Sequence, residues 1–110
     1  MMMQWLAHFN ELPQHDIMPG MRGRFLHSER MTFAFWEIDD GFILPEHSHP
    51  QEQVAHLIEG RFEMTVKGET KLLHPGAVSV IPGNALHSGK ALSACKILDI
   101  FTPRRLDYEL

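Results

Sequence analysis

From residue 21 to residue 101 apolar and polar side chains alternate in short runs closed by turn residues. The clearest run is 61–67, where Phe62, Met64 and Val66 alternate with Arg61, Glu63, Thr65 and Lys67. A period of two puts the two sets on opposite faces of a β-strand, one toward a core and one toward water. Comparable runs cover 21–28, 30–38, 54–59, 69–73, 77–82, 86–91 and 94–101, with turns at Lys67-Gly68 and His74-Pro75-Gly76. Strands this short at this spacing predict an all-β sandwich or barrel. Residues 1–20 are only weakly periodic and end in a Pro19-Gly20 turn, so they are expected to form an extension or an edge strand. There Trp5, Leu6 and Phe9 are expected to pack on the domain or to be exchanged with a partner subunit, and Met1–Met3 to add only a ragged end.

The stretch 41–60, GFILPEHSHPQEQVAHLIEG, carries the candidate chemistry between two turn glycines. On an extended strand His47 and His49 project to one face with Cα atoms roughly 6.5–7 Å apart, which lets both imidazoles converge on one ion. If the extended geometry continues past Pro50, Gln53 shares their parity; a shift by one residue would offer Glu52 instead. His56 has the opposite parity and is expected to face away, and His8, His15, His27 and His74 are not expected to serve the site.

At 110 residues with 44% hydrophobic and 22% charged side chains, the chain suits one globular domain spanning 1–110, with a barrel over 21–103. A net charge of −4 offers no footprint for nucleic acid or an anionic membrane, and no apolar run is long enough for a membrane helix. The start lacks a basic leader and is not expected to be a secretory signal. The single cysteine, Cys95, precludes an internal disulfide and fits a reducing cytoplasm.

A second stretch, Gly76 to Ala91 (GAVSVIPGNALHSGKA), makes the pattern specific. Together the two stretches resemble the paired motifs of the cupin superfamily: Gly41, His47, His49, Gln53 and Gly60 fit the first, and Gly76, Pro82 and His87 the second. Glutamine stands where most cupins have glutamate, and the second glycine of the second motif falls one place early, at Gly83. The resemblance implies a double-stranded β-helix, the cupin jelly-roll barrel, and one divalent transition metal ion (Ni, Zn, Fe, Mn, Co or Cu) held by His47, His49, Gln53 and His87. Four neutral ligands would leave such an ion its full +2 charge, strengthening its pull on an anionic substrate.

Near the end, ILDIFTPRR over 97–105 puts Asp99 and Phe101 on one strand face, and a carboxylate among apolar neighbours is costly unless paired or used. With HSHPQEQVAHLIEGRFEMTV and GETKLLHPGAVSVIPGNALH, this segment is similar to the small pectin-degradation cupins of the KdgF type. Those proteins convert 4,5-unsaturated uronate monosaccharides into linear keto-uronates. The resemblance implies pocket roles for Asp99, Phe101 and, by spacing, Arg105, with Arg104 adjacent as the alternative and Gln51 where relatives often carry a third histidine. It further implies a small anionic sugar as substrate and a homodimer. A dioxygenase built on the three histidines, or a sugar-binding sensor without turnover, are the rival readings.

Overall fold

The computed structural model describes residues 5–110; the expectation for Met1–Met3 lies outside the described residues. Two antiparallel sheets face each other. The larger has six strands in the order β1 (Gln14–Met18), β2 (Met21–His27), β3 (Thr32–Ile38), β10 (Cys95–Thr102), β5 (Glu52–Glu59) and β8 (Val78–Ile81). The smaller has four, in the order β4 (Ile43–His47), β9 (His87–Ala91), β6 (Phe62–Val66) and β7 (Glu69–Leu73). From β3 onward the chain crosses between the sheets at every step except β6 to β7, and the short loop 48–51 makes one of these crossings. Among the described residues no helix is long and apolar enough to cross a membrane.

The alternating pattern explains which face each strand buries. Ala34, Trp36 and Ile38 of β3, Ala55 and Leu57 of β5, Phe62 and Met64 of β6 and Ile97 and Phe101 of β10 point into the space between the sheets. Each large aliphatic or aromatic side chain buried there contributes about 1.5–3 kcal/mol. The strand β1 lies within the weakly periodic 1–20 segment and pairs with β2 through the Pro19-Gly20 turn. Its QHDIM sequence buries no residue fully, because an edge strand has one neighbour and needs little apolar surface.

The outer face of the large sheet departs from the usual polar side. In register across β2, β3, β10, β5 and β8 lie Leu26, Phe33, Ile100, Val54 and Val80, and in the next row Arg24, Phe35, Leu98, His56 and Val78. A third row reads Arg22, Glu37, Lys96, Glu59. Phe9, from a single 3-10 turn at Phe9–Glu11, stacks on Phe35 with ring centroids 4.7 Å apart.

Two glycines are demanded by close approach. A Cβ on Gly60, which has φ +94°, would sit 2.3 Å from the Ala94 carbonyl oxygen. A Cβ on Gly89 would fall 2.3 Å from the ring of Phe62, which is buried between the sheets. Gly89 thus lets β9 lie close to β6, and His87 begins the same short strand two residues earlier. We expect Gly89→Ala to lower stability by about 1–3 kcal/mol, read as a reduced urea midpoint with an unchanged slope.

Candidate metal centre

Three imidazoles meet at one mouth of the gap between the sheets. His47 ends β4 and His87 begins β9, and the two are directly paired, with ring centroids 4.1 Å apart. His49 is not on the strand that carries His47: β4 stops at His47 and β5 starts at Glu52, so His49 sits in the crossover between the sheets. The expectation that His47 and His49 share one extended strand is therefore corrected, and the extended geometry is broken at Pro50. Pro50 lacks an N–H for a ladder, and the chain must change sheets here. The histidines and Gln53 converge because the two sheets face each other, and strand parity alone does not bring them together.

The neighbours of the rings bear on their tautomers. Nδ1 of His47 lies 2.7 Å from the Pro45 carbonyl, that of His49 3.0 Å from Gln51 and that of His87 2.9 Å from Ala85. A carbonyl can only accept, so the neutral His47 and His87 rings carry their proton on Nδ1 and leave the Nε2 lone pair free. His49 faces acceptor oxygens on both nitrogens, an arrangement that a cation at Nε2 would satisfy. One ligand nitrogen from each ring falls within a cluster no more than 4.8 Å across. His87 Nε2 is buried with no hydrogen-bond partner. Gln53, itself buried on β5, sets Oε1 3.0 Å from His49 Nε2. Two lone-pair atoms at that separation match adjacent ligands at right angles, each ~2.1 Å from a shared ion. Glu52 is exposed on the outer face opposite Thr102, so the structure sets Gln53 and not Glu52 beside the rings. The donor set fits a divalent transition metal and leaves its identity open.

Burial, with the Arg105 charge adding, pushes the His49 pKa below the usual imidazole range. Burial does the same to His87. Both effects keep the rings neutral and ready to donate their lone pairs.

The cavity beside this cluster, about 350 Å³, is lined by Trp36, His47, His49, Gln53, Asp99, Phe101, Arg105 and Tyr108 among others. It lies at the small end of the roughly 300–1,000 Å³ range of ligand pockets. Asp99 is buried and accepts a hydrogen bond from Trp36 Nε1 on Oδ2 at 2.8 Å, while Oδ1 has no partner. Burial raises its pKa to about 6, against the opposing pull of Gln53, Trp36 and Arg105. Arg105 enters the cavity, its guanidinium carbon 4.8 Å from the Phe101 ring centroid and 4.2 Å from that of Tyr108. Arg104 turns outward to pair with Glu109. Gln51, in the loop that carries His49, donates to the Arg104 carbonyl at 3.2 Å and does not line the cavity.

Trp36 and Tyr108 escaped the sequence reading. Trp36 alternates with Ala34 and Ile38 and so reads as core; only the β3–β10 register, which pairs Ala34 with Asp99, brings its indole beside the carboxylate. Tyr108 lies beyond the last strand, where no periodicity applies. Of the remaining histidines, His56 lies on the outer face opposite Leu98, as its parity predicts.

His49→Ala and His87→Ala are each expected to strip most of the metal from the purified protein, read by elemental analysis. Metal should be retained somewhat below pH ~6.5. The lowered His49 and His87 pKa values delay protonation, and occupancy falls only as the pH drops through them.

The family description "Cupin domain" matches residues 34–101. The pectin degradation protein KdgF of Dickeya dadantii is 26% identical over 90% of this chain and 93% of its own. Among solved structures, KdgF from Halomonas sp. superposes with a TM-score of 0.85 at 28% identity, over 93% of this chain and 98% of that one. An RmlC-like cupin from Shewanella frigidimarina reaches 0.91 at 23% identity, over 96% of both chains, which speaks for the fold alone. With two facing antiparallel sheets, a three-histidine mouth and a family match over well over half its length, the chain belongs to the cupin family.

Proposed function

We propose that the protein opens the ring of a 4,5-unsaturated uronate monosaccharide to give the linear keto-uronate. The observation that carries this reading is the pairing, in one small cavity beside the imidazole cluster, of a buried carboxyl oxygen with no partner and an arginine. The similarity to two KdgF proteins supports it. A divalent ion held by His47, His49, His87 and Gln53 supplies Lewis acidity toward a substrate oxygen or water. Arg105 holds the substrate carboxylate in a charge-assisted pair. Asp99, with Oδ2 fixed by Trp36, presents Oδ1 to deliver a proton to the C4 carbon of the enol ether. Water adds at C5 to give a cyclic hemiketal. Breaking the C5–O bond of the ring then yields the C5 ketone and a hydrated C1 aldehyde; the hydrate loses one water to give the free aldehyde, so the net change is an isomerisation. Phe101 packs on the sugar face.

A dioxygenase needs no proton donor, and a sensor needs no buried carboxyl oxygen free of partners; Asp99 weighs against both. The test follows loss of the conjugated double-bond absorbance of an unsaturated uronate by the metal-loaded protein. Asp99→Asn should reduce kcat by about 100-fold or more while metal content stays unchanged. Oxygen consumption without loss of that absorbance, or sugar binding without turnover, would overturn the assignment.

The partner best suited to the outer face of the large sheet is a second copy of this chain. Among the described residues, Phe9 is the side chain seen stacked on this face, at Phe35 of the mixed row beside its apolar row, and an apolar surface this continuous favours burial. The charged row Arg22, Glu37, Lys96, Glu59 is self-complementary. A two-fold axis parallel to the strands reverses it, so every charge meets its opposite. The metal-site mouth opens between the sheets and stays free. Light scattering should give twice the 12.7 kDa chain mass, and Phe33→Glu should give the monomer; a parent protein that is monomeric at micromolar concentration would refute the pairing.

A further inference from the structure

We infer that His27 and Thr32 are positioning residues that strap the carboxy-terminal turn, and with it Arg105 and Tyr108, against the cavity. The inference rests on the reading of Arg105 as the carboxylate clamp. After β10 ends at Thr102 the chain forms only one 3-10 turn, Leu106–Tyr108, with no strand neighbour to hold it. A segment without a ladder keeps its place only where side chains tie it down.

The ties converge on the end of the β2–β3 hairpin, where His27 and Thr32 are directly paired. The Arg105 backbone N–H donates to Thr32 Oγ1 at 2.9 Å. Thr32 is completely buried, and its hydroxyl lies 2.8 Å from His27 Nδ1. His27 Nε2 lies 3.0 Å from the Tyr108 carbonyl. One assignment satisfies all three contacts. The carbonyl can only accept, so Nε2 carries the ring proton and Nδ1 accepts the threonine O–H, whose oxygen in turn accepts from Arg105. The relay thus grips the segment at residues 105 and 108, on both sides of the turn.

What is gripped is the wall of the cavity. Tyr108 stacks on Phe25 with centroids 4.7 Å apart and packs edge-on to Trp36, the residue that holds Asp99. The Arg105 guanidinium lies against Phe101 and Tyr108, and Asp107 takes up its Nε and Nη2. Nη1 is the remaining nitrogen for a carboxylate. Asp107 and Tyr108 travel with the turn, so loosening the turn moves the whole clamp relative to Asp99. The metal ligands belong to other elements, joined to this segment by the Gln51 contact to the Arg104 carbonyl, so metal content is read alongside.

The test compares the metal-loaded parent with Thr32→Val, which keeps the side-chain shape and loses the hydroxyl, and with His27→Asn, which cannot reach the Tyr108 carbonyl. Thr32→Ser serves as the rescue. Two readouts are taken: KM and kcat on an unsaturated uronate, and the rate of trypsin cleavage after Arg104 and Arg105, which requires no activity. Both disruptive variants should raise KM by ~5- to 20-fold, the size of one lost hydrogen bond. They should hold kcat within about twofold, speed tail cleavage by a comparable factor and keep the metal; Thr32→Ser should restore both readouts. Unchanged cleavage and KM in Thr32→Val and His27→Asn would overturn the strap. Loss of metal or of global resistance to urea in step with the KM change would also overturn it, by making the two residues merely structural. If even the parent fails to turn over uronate, the proposed function falls while the cleavage rates still decide the strap.

Discussion

The constraint on which the site depends is the meeting of three imidazole lone pairs in one buried place. Each Nδ1 is committed to a backbone carbonyl two residues away, so no ring can turn its proton inward without giving up that bond. Left alone, Nε2 of His87 would be an unpaired buried acceptor, at a cost of about 1–3 kcal/mol. A cation at the meeting point turns that cost into binding. The sandwich supplies the means: β4 and β9 bring His47 and His87 side by side, and the crossover loop brings His49 over from the same chain while β5 approaches with Gln53 from the facing sheet.

The second unfavourable group, Asp99, is placed with equal economy. It lies on the central strand of the large sheet, between β3 and β5, where it is buried. The Trp36 indole satisfies one oxygen and leaves the other facing the cavity. A core that served stability alone would hold an apolar residue there. The tension between fold and chemistry is concentrated at this point, and the apolar packing of Phe62, Leu57 and Ile81 elsewhere between the sheets offsets it.

The molecule also divides its duties by face. The gap between the sheets holds the core and, at one mouth, the polar cluster. The outer face of the large sheet is apolar in one row, mostly apolar in the next and alternates in charge in a third. The carboxy-terminal turn lines the cavity through Arg105 and Tyr108 and is fastened by side chains of β2 and β3, since it joins no strand ladder itself.

Much of this was legible in the sequence, because a strand writes its burial directly into a period of two. The eight runs between 21 and 101 all lie on strands, and the inward parity of Asp99 and Phe101 follows from the same rule. The two motif stretches were enough to mark the histidines that cluster. The sequence could not show that the strand stops at His47, because parity has no meaning across a loop that changes sheets. It could not choose between Arg104 and Arg105, since beyond β10 side-chain direction is decided by what the turn packs against: Tyr108 on Phe25, and Arg105 on Phe101. Nor could it join Trp36 to Asp99, 63 residues apart, or His27 to the Tyr108 carbonyl, 81 residues apart. Those contacts depend on strand order and register. The local alternation of residues records which side of a strand is buried, and only the folded sheets decide which strand lies beside it.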